Sequence, residues 1–423
     1  MLIMISAGQF FKKAVVSGAV LAAAFACSVQ ARLVTDHLGR SVNVPDTVNR
    51  IVTADILPFA SVTAVYLGGA DKLVGIHPVS MSAAKNGLLS EIYPAILKAD
   101  TSFMKGGTMN IESVMRLKPD VVFVNAGNRP AIKQLENAGI AAVAVSASKW
   151  DYKVLTTYDQ WISLLDAVFP ENAKTDKAAA HSRRIASMVA ERTAKLTDAE
   201  RKSVLFVFQY DAKRLVTSGR HFFGQYWCDA IGAKNAAYSV EADNQNAQIS
   251  MEQVYKWNPD VIFVTNFTPV LPADIYAGKY NDWSRVKAVT EKQVYKLPLG
   301  IYRSFTPSAD TPLTLLWMAK TVYPKLFEDI DLTKEAKIYY RGLYGIDLTD
   351  EQVKSMYEPK ANRADGFSQT SGRRYPTRDT TPRFITFYEP VARLGACNRV
   401  PLGGAHCRGL HGACQRRLSR GRR

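Results

Sequence analysis

Apolar and polar positions along this chain fall into two alternating kinds of pattern. Short runs with no polar interruption, such as "NRIVTAD", "KLVGI" and "DVVFV", predict strands buried on both faces. Between them lie stretches with helical apolar spacing, such as "FASVTAVYLGG", which ends on glycine. Strand and helix in alternation predict a parallel α/β sheet. Ahead of the first such strand, "RLVTDHLGRSVNVP" alternates around Gly39-Arg40 and predicts a hairpin.

One unit of this pattern occurs twice. Residues 110–124, "NIESVMRLKPDVVFV", and residues 250–264, "SMEQVYKWNPDVIFV", align at a constant offset, with Glu112/Glu252, Pro119/Pro259 and Asp120/Asp260 among the identities. Each copy is a short helix, broken before proline, that feeds a buried strand. Two copies are too few for a solenoid and predict two similar α/β lobes. Between them, residues 169–197 hold Pro170 at the start, no later glycine or proline, and mostly Ala, Lys, Arg and Glu. They predict one helix of about 25 residues, roughly 38 Å long. The expected division is therefore a first lobe over 32–168, a bridging helix over 169–197 and a second lobe over 198–360, with helices from Pro312 to Met356 at its end.

Composition changes this picture only at the ends. The formal charge of +16 resembles a nucleic-acid signal, but residues 368–423 alone contribute 12 arginines, and residues 32–367 are nearly balanced. No nucleic-acid partner is expected. Residues 1–31 carry Lys12 and Lys13, then the uncharged run Ala14 to Ala26, then Val29-Gln30-Ala31. That is the form of a secretory signal peptide, too short for a membrane span, with Cys27 as a lesser lipoprotein alternative. The expected location is the periplasm. The tail, 361–423, holds Cys397, Cys407, Cys414, His406 and His411 in no zinc spacing. It reads as a disordered or out-of-frame end. Cys228 is then the one cysteine of the body, so no disulfide framework is expected.

The strings "VTDHLGRSVNVPDTVNRIV", "LGGADKLVGI", "ESVMRLKPDVVFV", "GRHFFGQYWCDAIGAKNAA", "EQVYKWNPDVIFV" and "WSRVKAVTEKQVYKLP" occur in that order. With them the chain, over residues 32 to about 358, resembles substrate-binding proteins of ABC importers, in the class serving ferric siderophores, haem and cobalamin. The resemblance implies an α/β fold of two Rossmann-like lobes with mostly parallel sheets, joined by a single long helix, with a ligand cleft between them. It implies no cofactor, a monomer, and three partners: a small-molecule metal chelate, a membrane permease and, through it, an ATPase.

Residue chemistry narrows the expectation. Glu112 and Glu252 each lie in the first turn of a helix whose N-terminus faces the C-terminal edge of its sheet. The resemblance implies that such glutamates dock onto permease arginines, one per lobe. Side chains just past strand ends are candidate cleft contacts: His77, Asn125 and Arg129 in the first lobe, and Tyr210, Arg220, His221, Asn266, Tyr302 and Arg303 in the second. Arginine offers a fixed fork for carboxylate or catecholate oxygens, and His221 or Tyr302 could complete the shell of a chelated ion. Phe222, Trp227 and Cys228 read as packing residues. Only four histidines lie in the body, His37, His77, His181 and His221, too few in cleft positions to close an imidazole metal site. No G-x-S-x-G, H-E-x-x-H, Walker loop or G-x-G-x-x-G occurs, so catalysis has little support. The leading expectation is capture of an iron(III)-siderophore-type chelate. Alternatives are haem, cobalamin or an oxyanion such as molybdate in the same role, and, from another class, an exported chelatase-like enzyme.

Overall fold

The computed structural model describes residues 31–105, 107–242 and 247–359. The proposed signal segment with Cys27, and the tail with its cysteines and histidines, lie outside the described residues. The chain opens with an antiparallel hairpin, Ala31–Thr35 on Ser41–Pro45, turning at Gly39 with φ +76°. The first sheet then forms from β1 (Ile51–Thr53), β2 (Leu73–Ile76), β3 (Val121–Asn125) and β4 (Ala142–Val145). All its pairings are parallel, in the order β2-β1-β3-β4. The second sheet uses β5 (Ser203–Val207), β6 (Lys234–Asn235), β7 (Val261–Val264) and β8 (Val294–Lys296), again parallel, in the order β6-β5-β7-β8. The two sheets therefore share one topology.

Each sheet is buried on both faces. Along β3, Val121 and Phe123 enter one apolar core while Val122 and Val124 enter another. Along β7, Val261 and Phe263 divide from Ile262 and Val264 in the same way. This explains runs without polar interruption: a strand with helices on both sides has no solvent face. Helices α1 (Phe59–Leu67), α2 (Pro78–Asn86), α3 (Ile111–Arg116), α4 (Arg129–Asn137) and α5 (Val154–Val168) accompany the first sheet.

The repeated unit extends to backbone detail. Lys118 and Asn258, each just before the proline, both adopt left-handed φ, +46° and +42°. Each ends its helix, because right-handed helical geometry before proline is sterically disfavoured. The aspartates after the prolines also share a task. Asp120 Oδ2 accepts the amides of Asn49 (2.7 Å) and Arg50 (2.8 Å) ahead of β1, and Asp260 Oδ2 accepts Ser203 N (2.8 Å) at the start of β5. Each carboxylate sets the register of the neighbouring strand.

The bridging helix is α6, Thr175–Thr193, 19 residues and about 28 Å long. It is shorter than the expected run over 169–197. Pro170–Asn172 forms a separate 3-10 turn, and Asp166 accepts the amides of Lys174 and Thr175 (both 2.9 Å), which starts the helix there. Its Ala178 lies in the core of the first sheet, and its Ile185 and Val189 in that of the second. Past α7 (Phe223–Ile231) and α8 (Met251–Trp257), helix α9 (Thr311–Val322) also touches both cores, Leu313 the first and Leu315, Leu316 and Met318 the second. Helices α10 (Leu332–Tyr344) and α11 (Asp350–Tyr357) return to the first core through Ala336, Tyr339, Tyr340, Leu343, Val353 and Met356. The expected second lobe over 198–360 is corrected here: its last two helices belong by packing to the first. Local periodicity shows that they are amphipathic, not which core takes their apolar face.

Replacing Asp120 or Asp260 by alanine is expected to cost about 1–2 kcal/mol each, the range for backbone amides that lose a charged acceptor. The urea midpoints of the two variants should both fall.

Candidate functional site

In a parallel α/β sheet the strands' C-terminal ends share one edge, and side chains just past them face a ligand. Here the loops from these edges meet along the seam between the lobes. After β4, Ser146 to Lys153 leads into α5, and Tyr152 packs edge-on against Phe222 (5.4 Å between centroids) and Phe223 (5.2 Å) of the second lobe. Tyr226 Oη of the second lobe accepts Leu155 N at 3.3 Å. Between these walls lies a cavity of about 560 Å³, lined by Ser148, Asp151, Tyr152 and Lys153 on one side and Arg220, His221, Phe222 and Asp229 on the other.

Arg220 and His221 thus line this cavity. Both contact Glu241: Arg220 Nη2 pairs with its carboxylate, and His221 Nε2 lies 3.5 Å away. The loop that carries Arg220 needs glycine before it, because a Cβ on Gly219 would come within 2.4 Å of the Val240 carbonyl oxygen.

Tyr302 and Arg303, past β8, are both 1% exposed. Tyr302 packs across the seam on Leu57, Val79 and Ala83. The Arg303 guanidinium lies 5.1 Å from the Phe267 ring and 5.5 Å from the Tyr302 ring, and its Nη1 donates to Tyr302 Oη at 3.3 Å. Phe267 packs on Phe208 (5.0 Å) and Phe208 on Phe222 (5.6 Å), so one aromatic floor runs from Arg303 to the cavity beside His221.

His77 caps α2, the helix that brings Val79 to Tyr302. Its Nδ1 accepts Val79 N at 3.1 Å, which leaves the ring proton on Nε2. Burial drives its pKa down to about 4, so it is a neutral donor. Asn266 is 2% exposed; its Nδ2 donates to Leu297 O and Pro298 O, and its Oδ1 has no hydrogen-bond partner.

Other expected contacts fall elsewhere. Tyr210 is corrected: its hydroxyl donates to Lys279 O (2.7 Å) and accepts from Asn281 Nδ2 and Trp283 Nε1 (2.9 Å each), inside the core on the far face of the second sheet. It holds a loop rather than facing the seam. Asn125 ends β3 as a buried turn residue, its Oδ1 accepting Gly127 N. Arg129 is exposed in the first turn of α4, outside the residues lining the cavity. Trp227 donates to Phe305 O (2.9 Å) and Cys228 is fully buried, with its thiol pKa pushed up by burial.

Sequence reasoning missed the buried carboxylates Asp55 and Asp310. Asp55 accepts Asn125 N (2.7 Å) and Asn128 Nδ2 (2.6 Å), which ties the ends of β1 and β3 together. Its signal was available, since it directly follows "NRIVTA". Asp310, 1% exposed, binds the loop that carries Tyr302 and Arg303, and burial raises its pKa to about 6. Nothing local marks it. Among the described residues, no group of three or more His, Cys, Asp or Glu could hold a metal ion. Among them, too, no helix is long and apolar enough to cross a membrane.

Glu112 and Glu252 are both exposed in the first turns of α3 and α8. Asn110 caps α3 and Ser250 caps α8, so both helix starts are fixed by side chains.

Residues 51–299 match the family model described as "Periplasmic binding protein". The molybdate-binding protein MolA of Haemophilus influenzae is 30% identical over 74% of this chain and 91% of its own length. The Fe(3+)-citrate-binding protein YfmC of Bacillus subtilis is 24% identical over 70% of this chain and 88% of its own. A periplasmic solute-binding protein of Veillonella parvula superposes with a TM-score of 0.70 at 29% identity, covering 80% of this chain and all of that one. The chain belongs to the periplasmic binding protein family, whose members serve ABC importers.

The pH dependence of His77 follows from its burial. Its folded pKa of about 4 lies below the ordinary 6.5, so the unfolded chain binds the proton more tightly. Stability from this group is full above pH 6.5 and is lost as pH falls toward 4. His77→Asn keeps a helix cap without the titration. Relative to wild type, its stability in urea is expected to improve by about 3 kcal/mol between pH 7 and pH 4.

Proposed function

We propose that this protein is the periplasmic receptor of an ABC importer for a metal-bearing anion, exported by its N-terminal segment. The observation that carries this reading is Arg303: a guanidinium almost wholly removed from water, at the lobe seam, on an aromatic floor. Arginine stays charged under all physiological conditions, and its fork matches the oxygens of an anion. The neutral His77, whose Nε2–H is a donor, adds an uncharged polar group near the same seam without reversing the sign of its charge. Such groups suit a small tetraoxo anion of the molybdate kind, and the molybdate-binding relative supports this choice.

A second ligand is favoured by the cavity. At about 560 Å³ it is larger than a tetraoxo anion requires, and Lys153, Arg220 and His221 border it together with Asp151 and Asp229. An anionic ferric chelate, of the kind named for the ferric-citrate-binding relative, suits that space. The chelator would supply the iron ligands. In either case Glu112 and Glu252, one per lobe, are proposed to orient the loaded protein on the permease through charge pairs.

Thermal melts with molybdate, ferric citrate and haem test the ligand. Molybdate is expected to raise the Tm by a few degrees at about 100 times its Kd. Arg303→Gln is expected to weaken binding at least about tenfold. Failure of both molybdate and ferric citrate to shift the Tm would exclude the metal-anion reading. Docking is tested separately: Glu112→Ala with Glu252→Ala should abolish uptake in reconstituted vesicles while ligand affinity stays at the wild-type value. Normal uptake by the double variant would remove the docking role.

A further inference from the structure

The loop from Leu299 to Asp310 leaves β8 of the second sheet, yet most of its anchors come from the first lobe. Leu88 N donates to Gly300 O, and Leu299 N to Met356 O, each at 2.9 Å. Ile301 and Ala309 lie in the core of the first sheet, and Tyr339 Oη donates to Ala309 O at 2.7 Å. At the centre stands the carboxylate of Asp310. Its Oδ2 accepts Ile301 N at 2.9 Å and Tyr302 N at 3.4 Å, and its Oδ1 accepts the hydroxyl of Tyr340 on α10. The approach is so close that a Cβ on Gly300 would come within 2.5 Å of Oδ1. Behind Tyr340, the hydroxyls of Tyr339 and Tyr158 meet at 3.0 Å, and Tyr158 also meets Tyr344, so α5 and α10 are joined under the loop. The opposite side of the loop faces the second lobe: Arg303 over Phe267, and Phe305 in that lobe's core.

We propose that Asp310, anchored by Tyr340, is the positioning residue for Arg303: it fixes the loop to the first lobe, so that the guanidinium is held by one lobe while facing the aromatic floor of the other. Asp310 touches no ligand and acts through the backbone of Ile301 and Tyr302. On this account Arg303 moves with the first lobe when the seam opens, although the chain delivers it from the second sheet. The inference rests on the reading above that Arg303 contacts the ligand.

The test uses Tyr340→Phe, which deletes one hydroxyl and keeps the ring, alone and combined with Arg303→Lys, with molybdate and ferric citrate as probes. Tyr340→Phe is expected to weaken binding about five- to tenfold. In the Arg303→Lys background the same change should alter affinity by less than about twofold, because the positioned group is already gone. A role confined to stability would give equal losses in both backgrounds. Equal losses, or an unchanged affinity for Tyr340→Phe alone, overturn the proposal while leaving the ligand reading intact.

A ligand-free measurement keeps the two questions separate. Amide hydrogen exchange at Ile301 and Tyr302 should quicken at least about tenfold in Tyr340→Phe while β7 is unaffected. Unchanged exchange there overturns the proposal even if neither probe binds. If wild type binds neither probe but exchange quickens as expected, the anchoring stands and the ligand reading falls.

Discussion

Parallel strands cannot be joined by tight turns. Each pair needs a crossover, and a helix that crosses a sheet must bury an apolar face against it. That constraint is met twice in this chain, in the orders β2-β1-β3-β4 and β6-β5-β7-β8. It gathers the strands' C-terminal ends on one edge of each sheet, and it leaves the loops past those ends as the segments free to carry polar groups. Arg220, His221, Arg303 and His77 all lie on such loops. The glutamates proposed for docking occupy the reverse connection, the starts of helices that run back toward the strands' beginnings.

The two lobes are not independent. Helix α6 enters both cores, α9 does the same, and α10 and α11 come back to the first lobe after the second sheet is complete. Three passes between the cores make a stiff connection, suited to small changes of the seam rather than wide hinge motion. The seam is itself packed, by Tyr302 on Leu57 and Ala83 and by Tyr152 on Phe222 and Phe223. Groups at this seam have lost water, which makes the charge of Arg303 matter more than that of a surface arginine.

Much of the fold was legible in the sequence because it rests on local signals. Uninterrupted apolar runs marked β3 and β7, and the repeated helix-proline-strand unit marked the duplicated topology. The site was legible only in part. Position after a strand chose Arg220, His221, Tyr302, Arg303 and His77, which lie at the seam or the cavity, and by the same criterion Tyr210, whose hydroxyl serves a loop of the far core. A residue's place past a strand fixes the edge on which it lies; it does not fix which neighbour claims its side chain.

Sequence by itself determined the element types, the twofold repetition and the helix-start positions of Glu112 and Glu252, since each follows from periodicity and helix-start chemistry within about fifteen residues. Tertiary structure alone decided that α10 and α11 pack on the first lobe, that α6 starts at Thr175 on the carboxylate of Asp166, and that Asp310 and Tyr340 meet beneath the Arg303 loop. These are contacts between segments distant in the chain or choices among equally apolar surfaces. They depend on which faces remain unburied after both sheets have formed, and no local pattern carries that information.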